Sequence, residues 1–381
     1  MHILFALPGL HRFGRGAEIV FESVAQQIAA RGEHQVTLVG SGQARPDRAY
    51  DFIHVPAMSR RRFEHWPKLP FLRHEFMYEE LTFAAGLATL PAVGKADVTM
   101  TCSYPYTNWA LRRPRLGKRR PAHVFVTQNG DWAAQRQGPE PRFFSCDGLI
   151  CTNPLYYARN RARWHATLIP NGVDPARFHP GPQRKTELSL PNDRPIVLMV
   201  SALEPGKRVI EAMRAVAGVP DAYMVIAGDG PLREEVDRLA AKLLPGRFMR
   251  GTFRHEQMPD LYRSADVFLH TKIEESFGNV YIEALSCGTP IVAHDDEVTR
   301  WILGEYAALV DTTSRTALTS AIAEELRAPR SGAVAAEWAH ARYGWAVVAA
   351  KYVDFFQDVL DTARPSGARQ TAAPISQGAQ P

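Results

Sequence analysis

Short apolar runs alternate along the chain with segments whose apolar residues recur every three or four positions. The first run, His2 to Leu7, is stopped by Pro8-Gly9. From Ala17 to Arg31, the positions Val20, Phe21, Val24 and Ile28 mark one face of a helix, which Gly32 ends. Further strands are predicted at Gln35 to Val39, Asp97 to Met100, His123 to Thr127 and Leu149 to Thr152. The logic then repeats. Pro195 to Val200 is a nearly pure apolar strand, Val209 to Val216 a helix and Ala222 to Ala227 a second strand. Leu232 to Leu244 reads as helix, and Phe248 to Arg250, Val267 to His270 and Pro290 to Ala293 as short strands. Tyr281 to Ser286 belongs to a helix ended by Gly288.

Strands alternating with helices imply α/β units with parallel sheets covered on both faces. Two such units predict two Rossmann-like domains, 1–175 and 176–344, joined through the Pro-rich polar stretch from Pro175 to Asp193. The amphipathic segment 345–362 is expected to pack back on the first domain, and 363–381, rich in Ala, Gly, Pro and Gln, to be disordered. Open α/β sheets bind ligands at the carboxyl ends of their strands, so the cleft between the domains is the expected site.

Composition narrows the class. The 381 residues, 45% apolar and 22% charged, suit two ordinary globular domains. No run approaches the roughly 18 apolar residues of a membrane span. The apolar start is shorter than a signal-peptide core and lacks a basic lead-in. Cys102, Cys146, Cys151 and Cys287 form no CxxC pair, and no His cluster completes a metal site. They read as reduced core residues of a cytoplasmic protein, with no metal and no cofactor expected.

The net charge of +5 is mild but uneven. Loop 112–120 carries Arg112, Arg113, Arg115, Lys118, Arg119 and Arg120 without an acid. Loop 60–73 carries Arg60, Arg61, Arg62, Lys68 and Arg73 among Phe63, Trp66 and Phe71. Two readings stay open: solvated loops, or a face for an anionic partner such as a lipid headgroup, a polyprenyl phosphate or a phosphorylated saccharide. The second would place the protein peripherally on the inner face of a membrane. No nucleic-acid-binding motif accompanies the charge, and nucleic acid is not expected as a partner.

The chemistry concentrates between Glu275 and Glu283, two carboxylates eight residues apart between a strand and a helix. Gly278 lets the backbone approach a ligand, and Asn279 is placed to cap the helix. The free amides of Gly278, Asn279 and Val280 would point out of the helix start, an end that favours an anion such as a diphosphate. Glu283, a turn further in, can accept two hydrogen bonds from a vicinal diol such as ribose. Glu275 precedes the helix, nearer the sugar. His270 and His294 end neighbouring strands and read as packing residues. His294-Asp295-Asp296-Glu297 reads either as an acidic cluster near the sugar or as a capped helix start.

With these motifs the chain resembles glycosyltransferase family 4, whose members have the GT-B fold. The resemblance rests on Ile169-Pro170-Asn171-Gly172-Val173-Asp174, on Ser201-Ala202-Leu203 before Lys207-Arg208, on Gly228-Asp229-Gly230-Pro231 and on the Glu-x7-Glu block. It implies retaining transfer of a hexose from a nucleotide sugar, GDP- or UDP-linked, to a saccharide or a polyprenyl- or lipid-linked acceptor, without an obligatory metal. The form Ser201 to Arg208 resembles bacterial mannosyltransferases and cell-surface polysaccharide enzymes. By that likeness domain 1–175 binds the acceptor and domain 176–344 the nucleotide sugar; Glu283 holds the ribose, Glu275 with the amides around Phe277 and Gly278 holds the sugar, and Lys207 neutralises the diphosphate. An ammonium there stabilises the leaving group more as its charge develops. Arg208 either assists or is solvated.

Three departures concern the rest of the site. Ala202 stands where the family often has an arginine. Arg15 interrupts a usual glycine pair in Gly14-Arg15-Gly16. It can reach a phosphate or belong to a plain turn, while Gly16 still admits a close backbone approach. Asn129 takes a slot where many relatives have histidine. It can position the sugar, and a front-face retaining mechanism needs no base there. Asp131 either orients the acceptor or caps a helix. The competing expectations on the same fold are a nucleotide-sugar epimerase, which needs acid and base side chains at the sugar, and a non-catalytic nucleotide-sugar-binding protein.

Overall fold

A computed structural model describes residues 1–114, 120–327 and 332–363. Among them, seven parallel strands form a first sheet: β1 (His2–Ala6), β2 (Gln35–Gly40), β3 (Asp51–His54), β4 (Val98–Thr101), β5 (Ala122–Val126), β6 (Gly148–Cys151) and β7 (Ala166–Leu168). Their spatial order is β3-β2-β1-β4-β5-β6-β7. A second parallel sheet holds β8 (Ile196–Val200), β9 (Tyr223–Ala227), β10 (Phe248–Gly251), β11 (Val267–His270), β12 (Ile291–His294) and β13 (Ala308–Val310), in the order β10-β9-β8-β11-β12-β13. The chain order reverses between β1 and β4 and again between β8 and β11. Each reversal sends neighbouring loops to opposite faces and opens a crevice at the strand ends.

The strands with continuous apolar runs are the central ones, because burial on both faces selects that pattern. β1, β8 and β11 are almost wholly buried, whereas β3, β7 and β13 are half-exposed edges of three or four residues. The edges have no apolar run, so periodicity did not predict them.

The last helix, Trp345–Ala363, returns across the molecule to the first sheet. Its Trp345, Val348, Tyr352, Phe356 and Val359 join the core of Phe5, Phe21 and Val124. Phe5 packs edge-on against Phe21 at 5.9 Å and Phe356 at 6.2 Å. The crossing is fixed by backbone bonds from Val173 to Tyr343 (2.8 Å) and from Trp345 to Val173 (3.0 Å). The predicted tail beyond 363 lies outside the described residues, as do Arg115, Lys118 and Arg119. All four cysteines are buried free thiols. No helix among the described residues is long and apolar enough to cross a membrane.

Candidate active site

A cavity of about 950 Å³ opens between the two sheets. The loops after β1, β4 and β5 line one wall, and those after β8, β9 and β11 line the other. Both topological reversals therefore face the same space.

On the second wall, the strand β11 runs into a loop that ends at the helix Asn279–Ser286. Gly278 occupies the residue before the helix with φ +69°. Its left-handed backbone suits glycine, and an added Cβ would meet the Tyr281 ring at 2.7 Å. Asn279 is thus the first helical residue rather than the predicted cap. Its Oδ1 accepts from Asn171 Nδ2 at 2.8 Å, and Gln128 Nε2 donates to Asn171 Oδ1 at 2.6 Å. This amide relay ties the β5 loop to the start of the second-wall helix. Asn153 and Tyr156 add bonds to Ser276 at 2.6 and 3.1 Å.

The opposite wall contributes a second helix start. Gly16 begins the helix Gly16–Ala30, and a Cβ there would find Asn279 Nδ2 at 3.7 Å. Two helix amino ends, with their unpaired amides and partial positive charge, converge on one point. Arg15 stands just before Gly16 with its guanidinium 4.2 Å above the Phe13 ring, and it lines the cavity.

Lys207 follows β8 in a 3-10 turn. Its Nζ lies 2.9 Å from Glu275 Oε2, with Lys272 Nζ 3.1 Å from Glu275 Oε1 and His270 Nε2 3.3 Å from Oε2. Burial alone would raise the Glu275 carboxyl. The bond from His270 and the charges of Lys207 and Lys272 instead hold it well below the usual carboxylate range. Burial lowers His270, so the ring is neutral and donates from Nε2. Its Nδ1 is buried with no partner among the described residues. His270 is therefore more than the packing residue that its strand position predicted. Thr271 Oγ1 holds the Lys207 loop by bonds to the Lys207 and Arg208 carbonyls at 3.3 and 3.0 Å. Arg208 and Glu274, beside the two charged residues, have φ of +55° and +58°. Such backbone is costly for non-glycine residues and is held here by the surrounding bonds.

Of the residues that the sequence singled out, Arg15, Gly16, Asn129, Lys207, Glu275, Phe277, Gly278, Asn279 and Val280 line the cavity. Three others do not. Arg208 turns its Nη2 to the Thr312 carbonyl at 3.3 Å, because its left-handed backbone redirects the side chain. Asp131 stands at the start of the helix Trp132–Gln135 but makes no capping bond with its side chain. Its carboxylate is taken by Arg159 (2.9 and 3.1 Å), Asn160 (2.9 Å) and Gln135 (2.9 Å), since a guanidinium outcompetes the amides of a one-turn helix. Glu283 lies one turn behind the helix start, where its Oε2 accepts from Tyr262 Oη at 2.8 Å and burial raises its pKa. Asp296 caps the helix Glu297–Leu303 by accepting from Thr299 N at 2.8 Å. His294 Nδ1 pairs with Thr312, so that segment is a capped helix start.

Sequence reasoning missed the carboxylates of the first wall. Glu18, Glu79 and Glu80 line the cavity and are only 5%, 2% and 3% exposed. The available signal was two adjacent acids within the apolar pattern of a helix, here Glu75–Thr89.

Residues 182–340 match the family described as glycosyl transferases group 1. The chain is 32% identical over 200 residues to a GDP-mannose-dependent alpha-(1-6)-phosphatidylinositol monomannoside mannosyltransferase of Mycolicibacterium smegmatis. That match covers 46% of this chain and 52% of the relative, about half of its length. A lipopolysaccharide core biosynthesis glycosyltransferase of Rhizobium meliloti is 25% identical over 307 residues, 78% of this chain and 82% of the relative. Among solved structures, sucrose-phosphate synthase of Thermosynechococcus elongatus superposes with a TM-score of 0.77 at 20% identity, over 95% of this chain and all of the other. The fold is that of the GT-B glycosyltransferases, and the second domain carries the sequence pattern of the group 1 glycosyl transferases.

Proposed function

We propose that the protein is a retaining glycosyltransferase that moves a hexose from a GDP- or UDP-sugar to a saccharide or lipid-linked acceptor in cell-surface polysaccharide or glycolipid synthesis. One observation carries the reading: the helix starts at Gly16 and Asn279 converge beside the Lys207–Glu275 pair. Amide ends and an ammonium are suited to a diphosphate, and a carboxylate held ionised beside them is suited to the hydroxyls of the attached sugar. The names of the relatives, one of them GDP-mannose-dependent, point the same way.

In this reading the donor diphosphate draws Lys207 away from Glu275, and Glu275 turns its freed oxygen to sugar hydroxyls. Arg15 reaches a phosphate oxygen. The amides of Gly278, Asn279 and Val280 take the diphosphate, and Glu283 holds the ribose with the lone pairs that Tyr262 leaves. As the bond from the sugar to the phosphate breaks, the departing oxygen takes the acceptor hydroxyl proton. The new glycosidic bond forms on the same face, with Asn129 positioning the sugar. Lys207 and the helix starts carry the leaving charge without a metal. The face around 60–73 is proposed to rest on an anionic membrane. There Arg60 and Arg73 are tied to Glu79 and Glu140, while Arg61, Arg62 and Lys68 have no ion pair among the described residues. Exposed Trp66, Leu69 and Phe76 lie among or beside them.

The test is a panel of nucleotide sugars with donor hydrolysis as readout. Wild type should turn over one donor, and Lys207→Ala and Glu275→Ala should each lose roughly 100-fold or more, the scale of removing a charge-stabilising group. Hydrolysis of no donor, or full activity in both variants, would sink the assignment.

A further inference from the structure

A second cavity, of about 540 Å³, opens on the first domain and takes no part in the reaction described above. It is lined by Gln135, Arg136, Gln137, Arg142 and Arg163. The one-turn helix Trp132–Gln135 stands between the two cavities. Trp132 at its start lines the interdomain cavity, and Gln135 at its end lines the second one.

The acids of this region are already taken. Asp131 is paired with Arg159, Glu140 with Arg73 and Asp147 with Arg120, while Arg136, Arg142 and Arg163 have no ion pair among the described residues. These three are nevertheless held in place, each by a neutral partner. Arg136 Nε donates to the Arg142 carbonyl at 3.0 Å, and Arg163 Nη1 to the Gln135 carbonyl at 2.6 Å. The Arg142 guanidinium lies 4.6 Å above the Phe143 ring. A carbonyl or a ring fixes a guanidinium without cancelling its charge, and each guanidinium keeps further N–H donors unspent.

The backbone fixes the arrangement as well. Arg136 has φ +55°, a costly conformation for a non-glycine residue, and its amide reaches the Ala133 carbonyl at 3.2 Å. Phe144 packs edge-on against Trp164 at 5.2 Å, which joins the segment of Arg142 to that of Arg163. Helix capping accounts for one N–H of Arg163. It does not account for two more guanidiniums around the same space, where like charges repel and each long side chain would gain rotamer freedom in water. An anion that enters relieves that repulsion. Planar guanidinium forks match phosphate oxygens, and a doubly charged tetrahedral group with three outer oxygens can meet three forks where a carboxylate cannot. Phe143, 48% exposed, also packs against Phe71 at 6.3 Å, so the cavity adjoins the 60–73 loop.

We propose that Arg136, Arg142 and Arg163 form a binding site for a phosphate monoester, separate from the donor cavity. The group is carried either by a lipid headgroup at the adjoining face or by a soluble phosphorylated compound. The site does not depend on the glycosyl-transfer reading.

The experiment is a calorimetric titration of the full chain at low salt with glycerol 3-phosphate, with acetate as the singly charged control. Beside it, co-sedimentation is measured with vesicles containing phosphatidic acid, which carries a phosphate monoester, or phosphatidylserine, which does not. At about pH 7.5 glycerol 3-phosphate should bind tenfold or more tightly than acetate. Its affinity should fall toward about pH 5.5, where the phosphate gives up its second charge and the arginines keep theirs. Arg142→Gln should weaken the binding about tenfold, and Arg142→Lys about threefold, since an ammonium keeps the charge without the fork. Arg136 bonds the backbone carbonyl of residue 142, so both variants leave its anchor in place. If Arg142→Gln fails to fold, Arg163→Gln must show the same loss. Lys207→Ala should leave this site intact, and Arg142→Gln should leave donor hydrolysis unchanged. A loss confined to glycerol 3-phosphate assigns the site to a soluble compound. A loss that is larger on phosphatidic acid than on phosphatidylserine assigns it to a headgroup. Equal losses on the two lipids with none on glycerol 3-phosphate, binding no tighter than that of acetate, or phosphate binding that falls with Lys207→Ala and survives the folded arginine variant overturns the proposal.

Discussion

The two walls of the cavity handle charge in opposite ways. On the second wall every formal charge at the centre has a counterpart: Glu275 is met by Lys207, Lys272 and His270. On the first wall Glu18 and Glu80 have no ion pair among the described residues, and Glu80 accepts instead from the Thr107 amide at 2.9 Å. The pairing on the second wall follows from what that wall is proposed to meet. A site for a diphosphate must hold cations before the anion arrives, and pairing them with a carboxylate keeps them ordered without it. The second wall is thus a set of charges that exchange partners, and the first holds its carboxylates in bonds to backbone amides.

The largest test of this contrast removes the counter-charge. Glu275→Ala leaves Lys207 and Lys272 unpaired in a half-buried site. The expected loss of stability is roughly 2–3 kcal/mol, less than for a fully buried pair because Lys207 is a quarter exposed. The pH dependence carries the sign. The folded carboxyl lies below its unfolded value, so its contribution is complete above the ordinary carboxylate range and is lost as pH falls toward the folded pKa. The gap between wild type and variant in urea unfolding should be flat from about pH 8 to 5.5 and shrink below about pH 4. A gap that ignores pH would mean that Glu275 supports the fold by packing, and the picture of exchanging charges would fail.

A pair of glycines makes the same comparison with a smaller effect. Gly228 and Gly9 both end a strand at the cavity, and both are crowded. A Cβ at Gly228 would lie 1.8 Å from the Ser201 carbonyl oxygen, which is backbone and cannot step aside. A Cβ at Gly9 would lie 1.9 Å from Glu18 Oε1, the far end of a side chain. Gly228→Ala should therefore cost about 1–3 kcal/mol, the range of overpacking in a packed region. Gly9→Ala should cost under about 1 kcal/mol, with little change in the urea midpoint, because the Glu18 carboxylate can be displaced. Equal destabilisation by the two would show that Glu18 is as fixed as backbone.

Legibility in the sequence divided along the same line. The second wall was readable because its parts are local. Glu275, Phe277 and Gly278 lie within four residues of one another, and a strand, a left-handed glycine and a helix start follow from the chain itself. Lys207 was read from the family resemblance of Ser201 to Arg208, which lies in the loop after an apolar strand. The first wall is assembled from segments far apart in sequence, Glu18, Glu80, Cys102 and Asn129, and no spacing reveals that they meet. The roles of Asp131 and Arg208 stayed open in the sequence for a related reason. Each had a plausible local role, and each was claimed by a partner that only the tertiary fold supplies, Arg159 for one and the Thr312 carbonyl for the other. The central strands were legible from their apolar runs. The edge strands β3, β7 and β13 were not, because an exposed edge needs no such run.

The smallest effect concerns the outside of the two domains. The proposed membrane face belongs to the first domain alone, where Arg61, Arg62 and Lys68 stand among exposed apolar side chains. The exposed Lys242 on the second domain has no such neighbours and serves as a control of equal charge. A cation that meets an anionic surface contributes about 1 kcal/mol. Arg61→Ala should therefore weaken binding to phosphatidylserine-containing vesicles about fivefold at low salt, and Lys242→Ala should leave it unchanged. Raising the salt shortens the reach of the charges and should erase the difference, while Trp66→Ala should weaken binding at both salt concentrations, since its contribution is apolar burial. Equal effects of Arg61→Ala and Lys242→Ala would show that only net charge matters. The contrast between the domains would then end at the cavity walls and not extend to their outer surfaces.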